Sequence, residues 1–471
     1  MTGLGYLTPE IALVLGAMTV VLQAGFLRRE RQHLAGVTAM VALLLAAGLS
    51  TLIAMTTEPT VTFASTWVMD DVTTAARLGI IGVAVVTVLL SPEWLRTDQR
   101  HAEWYAVILF GTAGAVLMAG AADAMQLLVG VLLSSVTATL MVGYHRRSAA
   151  SGEAGIKTFL VGSLSNVLLL FGIVMFFGLA GTTSYQAARL TLQTDADPAL
   201  LLVMVALVVV GLTFKIGAVP AHSWLPDAAQ GAPAPGAAFV TVAPKIGAVI
   251  GTYRLLSVVP VEGVAWPLLI AVVAGATMTV GNLAALWQDD VRRLLGWSSV
   301  SQAGYALMPL VAIGRDEQVG SALVIFLLGY AAAQMAAFGV VIILRGRTQL
   351  RDYNGLATHR PWLAAVMALA LLSLVGIPPT AGFAGKLLVF AVTIRAGYGW
   401  LALIAVLNTV VSLFYYLRVI GPMVLAPPTD RMAVLGRSAM IGTALGAAAT
   451  ILVGIGVQML LGLLEGSVAI P

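Results

Sequence analysis

The stretch LTFKIGAVPAHSWLPDAAQGAPAPGAAFVTVAPKIGAVIG, Leu212 to Gly251, decides the fold. It places two lysines, Lys215 and Lys245, in sequence that is otherwise as apolar as lipid. Between them lie prolines and glycines, which interrupt helices because proline lacks an amide hydrogen and glycine loosens the turn. The stretch therefore combines buried charge and a broken backbone with the composition of a membrane protein.

The composition of the whole chain indicates an integral membrane protein. The 471 residues are 59% hydrophobic and 10% charged, whereas soluble domains carry about a quarter charged residues. Apolar runs of the roughly 20 residues that cross a bilayer recur from end to end, so we expect a single membrane domain over residues 1–471. The runs are continuous rather than alternating, which favours an all-α protein over a barrel.

The composition of the chain excludes several functional classes. The chain has no cysteine and five scattered histidines, which excludes disulfides, cysteine-ligated iron–sulfur clusters and thiol catalysis on this chain. We therefore expect no cofactor and no metal on it. The net charge of +4 gives no sign of nucleic-acid binding. The N-terminus lacks the basic segment of a signal peptide, so the first apolar run is expected to be retained as a helix.

The apolar runs predict about fourteen transmembrane helices. They are 9–27, 34–55, 76–92, 104–122, 124–144, 156–180, 198–219, 233–257, 264–287, 296–313, 319–344, 361–390, 398–421 and 437–462. Within them, 104–257 and 264–421 form two candidate repeats, which 1–92 and 437–462 flank.

The lysines and arginines orient these spans. Of the 25, one set of loops holds Arg28, Arg29, Arg31, Arg96, Arg100, Arg146, Arg147, Lys157, Arg292, Arg293, Arg345, Arg347, Arg351, Arg360, Arg418, Arg431 and Arg437. The other set holds Arg77, Arg189, Arg254, Arg315 and Arg395. Because cytoplasmic loops are enriched in positive charge, this asymmetry predicts that both termini lie outside and that Pro220–Gly231 faces the cytoplasm.

The remaining three lysines, Lys215, Lys245 and Lys386, lie within spans. Near a helix end a lysine can reach the interface along its own chain, which suits Lys215 better than the other two. A buried ammonium costs several kcal/mol or loses its proton, and lysine can lose a proton near neutral pH whereas arginine cannot. Three intramembrane lysines therefore indicate a proton relay.

Two spans are predicted to be broken, near 211–222 and 374–386. In the first, Gly217 and Pro220 lie beside Lys215, and in the second, Pro378 and Pro379 precede Lys386. Ordinary kinks are common in membrane helices. However, paired interruptions at corresponding places in two halves of a chain are typical of inverted-repeat transporters.

Polar residues near the lysines are further candidates. His222 follows the first break, and its unperturbed pKa near 6.5 suits proton transfer, although a histidine at a span end is often a surface residue. Asp227 in the same loop is either functional or a helix cap. The run Asn282 to Tyr305 is rich in polar residues, among them Ser298, Ser299 and Tyr305. The alternative role for this run is hydrogen bonding between helices.

The motifs at these positions resemble a known family. FKIGAVPAHSWLPDAAQGAPAPGAAFVTVAPKIG is similar to the signature of the proton-translocating, antiporter-like subunits of complex I. GAPAP and the GFAGK that ends at Lys386 favour the N subunit of bacterial complex I, the NADH-quinone oxidoreductase. QDDVRRLLGWSSVSQAGY and EAGIKTFLVGSLSNVLLLFG match further family motifs. The resemblance covers roughly residues 65–420.

This resemblance implies a fold and a set of roles. It implies fourteen helices with two inverted five-helix repeats, each repeat holding a broken helix and a half-channel. Lys215 is then the first-channel lysine, His222 lies on the link, Lys245 is central and Lys386 belongs to the second channel. Flavin, iron–sulfur clusters and quinone belong to partner subunits of the membrane and peripheral arms. The chain itself is a non-redox subunit of a translocase in the bacterial plasma membrane.

One position departs from the family. The family places a glutamate in the fifth helix to pair with the first-channel lysine, and this chain has Leu132 there. Because a nearby carboxylate favours the charged ammonium and burial disfavours it, pumping through the first channel is weakened or lost unless another group replaces the partner. Three functions stay open: a proton-channel subunit of a redox-driven translocase, an Mrp-type cation/proton antiporter subunit, and a structural subunit with impaired pumping.

Overall fold

The computed structural model describes residues 3–95, 101–145, 147–194, 196–427 and 436–464, and this part of the chain is almost entirely helical. The helices are α1 (Thr8–Phe26), α2 (His33–Thr56), α3 (Asp71–Leu90), α4 (Ala102–Ala119), α5 (Ala124–Val142), α6 (Ala149–Ala180), α7 (Tyr185–Thr194), α8 (Pro198–Ile216), α9 (Trp224–Gly231), α10 (Ala234–Leu256), α11 (Trp266–Ala285), α12 (Val291–Leu307), α13 (Val319–Ile343), α14 (Leu356–His359), α15 (Pro361–Val375), α16 (Ala381–Arg395), α17 (Gly399–Leu425), α18 (Arg437–Ile455) and α19 (Val457–Leu464). Four short 3₁₀ turns lie at Gly3–Leu7, Arg29–Arg31, Met308–Ala312 and Leu350–Tyr353.

The prediction of an all-α membrane protein is confirmed. Twelve helices in the described part of the chain are long and apolar enough to cross a bilayer. The expected span 296–313 coincides with α12 and the 3₁₀ turn after it, and the expected span 361–390 is divided into α15 and α16. The count of fourteen and the two repeats stay predictions.

The core is organised around two helices, α10 and α13. Every residue of α10 is buried, and so is every residue of α13 except Leu328. Both helices are apolar on most of their circumference, which is typical of helices enclosed by others. Around them, α1, α2 and α6 expose rows of leucine, valine and phenylalanine. These outer faces suit lipid or neighbouring subunits.

A small hairpin closes one end of the bundle. Strands β1 (Thr60–Thr62) and β2 (Trp67–Met69) pair antiparallel with Val61 opposite Val68. The amide of Val68 donates to the carbonyl of Gly120 at the end of α4, at 2.9 Å. The hairpin thereby sets the position of Asp70, whose carboxylate accepts from the amide of Thr73 and caps α3.

Some expectations about charge need correction. Arg77 and Arg254, which we assigned to loops, lie inside α3 and α10 and are 0% and 1% exposed. Each forms an ion pair with a buried acid that is distant in sequence, Glu10 for Arg77 and Asp70 for Arg254. The charge is therefore compensated without contact with water. Arg96, Arg100, Arg146 and Arg431 of the orientation argument lie outside the described residues.

Candidate functional site

Lys215 lies in the last turn of α8 and is 3% exposed. Its amine has no hydrogen-bond partner among the described residues. The ring centroid of Phe214 lies 4.8 Å from Nζ. The described structure therefore supplies no carboxylate partner for this lysine.

Leu132 lies on α5 with 42% of its surface exposed. Its environment thus differs from that of the fully enclosed Lys215. One turn further along α5, the hydroxyl of Ser135 is 3.3 Å from Oδ1 of Asn166 on α6. A polar contact between α5 and α6 therefore lies one turn from Leu132, the position where we expect a glutamate in the family.

The first helix break forms at Gly217, which ends α8 in the left-handed region with φ of 75°. Its amide and that of Ala218 both donate to the carbonyl of Thr213, each at 2.8 Å. Glycine suits this conformation because it has no Cβ. The amide of Val219 donates to the hydroxyl of Thr277 on α11 at 3.1 Å. The freed backbone is thus tied to a neighbouring helix at depth.

The second break repeats this geometry at Gly376, which ends α15 with φ of 99°. The amides of Gly376 and Ile377 both donate to the carbonyl of Leu372, at 3.0 and 3.1 Å. Across the break, the amide of Gly382 at the start of α16 donates to the hydroxyl of Ser373 at 3.1 Å. The two predicted breaks therefore have matching backbone hydrogen bonds.

Lys386 on α16 reaches back across the second break and is 4% exposed. Its ammonium donates to the carbonyls of Leu374 and Val375, at 3.0 and 2.8 Å. These carbonyls belong to the last turn of α15, which carries the negative end of the helix dipole. The ring centroid of Tyr305 lies 4.2 Å from the same nitrogen. The break thus creates the binding site for this lysine.

Lys245 on α10 is 1% exposed and faces α12 and α13. Its ammonium donates to the carbonyl of Ser299, to the Ser299 hydroxyl at 2.8 Å and to the Tyr330 hydroxyl at 3.5 Å. The two hydroxyls are 2.7 Å apart, and that of Tyr330 also donates to the carbonyl of Thr241 at 2.9 Å. The described partners of Lys245 are therefore neutral groups.

Helix α12 connects the central lysine to the second break. Ser299 binds Lys245, and one turn later the amide nitrogen of Gln302 donates to the carbonyl of Leu374 at 2.9 Å. This carbonyl is also an acceptor for Lys386. The two residues lie one turn apart, so α12 presents one polar partner to Lys245 and another to the carbonyl that Lys386 binds.

The other two polar residues predicted on α12 bind α17. Ser298 is 2.5 Å from the hydroxyl of Tyr416, and the hydroxyl of Tyr305 is 2.9 Å from that of Thr409. Hydroxyl groups, which can donate and accept a hydrogen bond, therefore anchor one face of α12 to α17 at two levels.

Sequence reasoning missed a network between α11 and α17. The amide nitrogen of Asn282 donates to Oδ1 of Asn408 at 3.0 Å, and the hydroxyl of Tyr415 donates to Oδ1 of Asn282 at 2.9 Å. The three side chains are buried. The sequence feature that could have indicated this network is the pair Asn408 and Tyr415, two polar residues that lie two helical turns apart within an apolar run.

His222 lies in the segment between α8 and α9 and is half-buried. Its Nδ1 is 3.2 Å from the carbonyl oxygen of Pro220, and its ring centroid is 5.8 Å from that of Trp297 on α12. Among the described residues it makes no direct hydrogen bond to Lys215 or Lys245. It therefore lies beside α12 rather than in contact with either lysine.

Asp227 belongs to α9 and does not cap it. Its carboxylate binds Lys157 of α6 at 2.8 Å and Arg293 of α12 at 2.5 Å. Burial raises the pKa of Asp227, but the hydrogen bonds from Lys157 and Arg293 outweigh burial and bring the pKa below its usual value. The cluster Lys157–Asp227–Arg293 holds three helices together at the end of the bundle where α10 begins.

Arg292, adjacent to Arg293, is buried and serves a different purpose. Its guanidinium donates to the carbonyl of Ala229 at 2.8 Å and to the carbonyl of Ala232. These carbonyls lie at the C-terminal end of α9, where helical donors are missing. The paired basic residues of the α12 motif therefore fix the short half-helix that follows the first break.

Within the described ranges, no group of three or more histidine, aspartate or glutamate side chains is placed to hold a metal ion.

The comparisons with known proteins agree on one family. Residues 121–412 match the family model described as "NADH:quinone oxidoreductase/Mrp antiporter, TM". NADH-quinone oxidoreductase subunit N of Mycobacterium sp. (strain JLS) is 44% identical over 411 residues, which are 87% of each chain. NADH-quinone oxidoreductase subunit N 1 of Streptomyces griseus is 38% identical over 464 residues, 98% of each chain.

Solved structures show the same fold. A chain of respiratory complex I from Thermus thermophilus with bound aureothin is 27% identical, with a TM-score of 0.83 over 96% of this chain and 98% of that one. A chain of the Mrp complex from Dietzia sp. DQ12-45-1b is 21% identical, with a TM-score of 0.82 over 96% of both chains. The Mrp likeness concerns the fold alone.

Proposed function

We propose a proton-conducting role on the premise that this chain belongs to the NADH:quinone oxidoreductase/Mrp antiporter family of membrane subunits and is similar throughout to subunit N. In this role the chain conducts protons in the membrane arm of a complex-I-like translocase. The observation that carries this proposal is that α12 carries, one turn apart, Ser299, which binds Lys245, and Gln302, which binds the carbonyl shared with Lys386. Electron transfer to quinone takes place on other subunits and drives proton movement through this one.

The proton path that we propose runs through Lys215, His222, Lys245 and Lys386. An amine held only by hydroxyls and carbonyls can release and regain a proton without breaking an ion pair. Lys245 and Lys386 have such surroundings in the described structure. The hydroxyls of Ser299 and Tyr330 beside Lys245 can each pass on a proton by donating to one neighbour while accepting from another.

The two breaks supply water and backbone access to this path. At each one a glycine ends the helix, and the residues after it bind neighbouring groups instead of continuing the helical ladder. Freed backbone groups at membrane depth are tolerated where they line a protein or water-filled cavity. His222, next to the first break, connects Lys215 with α12 through intervening water.

The proposal extends to partners and location. The chain is a multi-pass membrane protein of a respiratory complex, and we place it in the bacterial plasma membrane with both termini outside. Other membrane-arm and peripheral-arm subunits are its partners. They carry flavin, iron–sulfur clusters and the quinone site, whereas this chain contributes no redox group.

Two further functions each have one supporting observation. The fold shared with an Mrp complex suits a cation/proton antiporter subunit, but the full-length relatives at 38–44% identity are N subunits. The unpartnered amine of Lys215 suits a structural subunit with impaired pumping. The intact surroundings of Lys245 and Lys386 favour conduction instead.

The test is proton pumping by the assembled complex in vesicles, with Lys215→Ala, Lys245→Ala and Lys386→Ala compared one at a time. We expect each variant to lower the number of protons moved per electron. The fourth lysine, Lys157, has a side chain that is 44% exposed, so Lys157→Ala is the matched control. An unchanged ratio in all three buried-lysine variants would refute proton conduction through this chain.

A further inference from the structure

A second buried charged site lies at the far end of α10 from the Lys157–Asp227–Arg293 cluster. Arg254 near the end of α10 donates to Oδ1 of Asp70 at 2.6 Å and to the Thr73 hydroxyl at 2.8 Å. The side chains of Arg254 and Asp70 are 1% and 0% exposed. Since α10 is 23 residues long and rises about 1.5 Å per residue, this site and the cluster lie on opposite faces of the membrane.

The site borders a cavity of about 260 Å³, which we name the outer cavity. Its lining includes Thr57, Glu58, Asp70, Asp71 and Thr74. Glu58 is exposed, whereas Asp70 is buried. The cavity therefore extends from the surface to Asp70, the residue that carries the buried carboxylate, and its volume is ample for several water molecules.

Two buried groups at this site have unused hydrogen-bonding capacity. Oδ2 of Asp70 and the Nε and Nη1 atoms of Arg254 are buried without a partner among the described residues. Buried polar atoms without protein partners in a polar cavity are typically satisfied by water. Asp70 lines the outer cavity, but its side chain is 0% exposed, so in this state the cavity ends just short of the carboxylate.

An apolar seam leads from this site toward Lys245. Ile246, Ile250 and Arg254 are spaced four residues apart and therefore share one face of α10. The two isoleucines line a narrow space together with Ala76 of α3 and three residues of α13, and this space does not admit a water molecule. The three α13 residues are Val324, Leu327 and Leu328.

The seam ends close to the central lysine. Leu327 is three residues, about one turn, before Tyr330 on α13 and shares a face with it, and Tyr330 binds the ammonium of Lys245. Leu328 is the residue of α13 that is not fully buried. The order from surface to centre is thus a polar cavity, a buried ion pair, a dry apolar seam and a lysine.

We propose that the outer cavity is the mouth of a second, gated proton exit, which branches from the proposed path at Lys245 before Lys386 and which the dry seam between α3, α10 and α13 closes in this state. Narrow apolar constrictions gate conduction by wetting and drying. When the seam wets, a proton leaves the Lys245 ammonium along water to the outer cavity, and the amine that remains is neutral. Arg254 and Asp70 are positioning residues that hold the inner end of the cavity. This exit rests on the proposed proton conduction.

Cysteine accessibility tests the gate, because the chain has no cysteine of its own. Three single variants of the assembled complex are compared: Ala54→Cys in the outer cavity, Ile250→Cys in the seam, and Val205→Cys as a buried control on α8. A small charged thiol reagent that does not cross membranes is added on the cavity side, with and without electron flow to quinone.

We expect Ala54→Cys to react under both conditions and Val205→Cys under neither. The reaction of Ile250→Cys should rise several-fold during turnover, when the seam wets. Equal reactivity of Ile250→Cys at rest and in turnover would overturn the gate.

Filling the seam with a larger side chain provides a second test of the proposed exit, with proton pumping as the measurement. Ala76→Leu places extra volume where the seam must wet, whereas Gly82→Leu on the exposed side of the same helix meets no atom within 4 Å of its Cβ. We expect Ala76→Leu, and not Gly82→Leu, to lower the number of protons pumped per electron. If Lys245→Ala lowers the ratio and Ala76→Leu does not, the exit is wrong and proton conduction stands. If neither lowers it, conduction itself fails.

Discussion

Two adjacent arginines at the start of α12, Arg292 and Arg293, differ in burial. We therefore predict that replacing each by alanine destabilises α9 to a different extent. Arg292 is 8% exposed and donates to the carbonyls of Ala229 and Ala232, which are themselves buried. The side chain of Arg293 is 31% exposed and pairs with Asp227 at the surface. Alanine at each position removes the same amount of side chain and the same charge.

The expected magnitudes follow from burial. Leaving a buried acceptor without a partner costs about 1–3 kcal/mol, so Arg292→Ala should destabilise the α9 end by roughly 2–6 kcal/mol in total. A surface ion pair contributes about 0.2–1 kcal/mol, and Asp227 keeps its bond to Lys157 when Arg293 is removed. Arg293→Ala should therefore have an effect several times smaller.

Hydrogen exchange of the amides in residues 228–232 of the assembled complex measures this difference. Because about 1.36 kcal/mol corresponds to a factor of ten, Arg292→Ala should speed local exchange by roughly 30-fold or more. Arg293→Ala should change it by less than about 6-fold. Equal exchange in the two variants would show that Arg292 does not hold the end of α9, and the reasoning from carbonyl burial would be wrong.

Three further predictions test the breaks, the surface cluster and the missing acid. Gly382→Ala would drive a Cβ into the carbonyl of Ser373 and cost roughly 1–3 kcal/mol of stability by overpacking, whereas Gly178→Ala meets no atom within 4 Å; thermal unfolding of the two variants compares them. The lowered pKa of Asp227 means that its ion pairs stabilise the folded protein above about pH 4 and are lost as the pH falls below that value. The stability gap between the native protein and Asp227→Asn should therefore close in acid, and a gap independent of pH would contradict the assignment. Leu132→Glu should raise the number of protons pumped per electron, since it places a carboxylate where we expect the family to have one, and an unchanged ratio would contradict the expectation that the missing carboxylate limits pumping.

Much of the site could be predicted from local sequence because the deciding physics is local. Gly217 and Gly376 end their helices in the left-handed region, which few other residues adopt. Lys215, Lys245 and Lys386 are recognisable because an ammonium in an apolar run has few structural uses. The polar density of α12 indicated function or packing, and the structure shows that Ser299 and Gln302 lie between two of the lysines.

Other assignments depended on distant parts of the chain and were beyond sequence reasoning. The expectation that Arg254 belongs to a loop was wrong because its partner, Asp70, is 184 residues away. Arg77 was misplaced for the same reason, since Glu10 neutralises it at 2.9 Å. A buried arginine and a loop arginine look alike in sequence when the neutralising acid is on another helix.

The sequence by itself determined that this protein spans the membrane with helices, that two of them break at glycine and proline, and that three lysines lie within the bilayer. These properties follow from hydrophobicity and from the backbone freedom of single residues. The tertiary structure decided which groups surround each lysine. Lys386 binds the carbonyls exposed by a break, Lys245 binds hydroxyls of two other helices, and Lys215 has no partner in the described chain. Such surroundings arise only when helices far apart in sequence pack together, because burial then leaves each charge dependent on whatever polar atoms the neighbouring helices present.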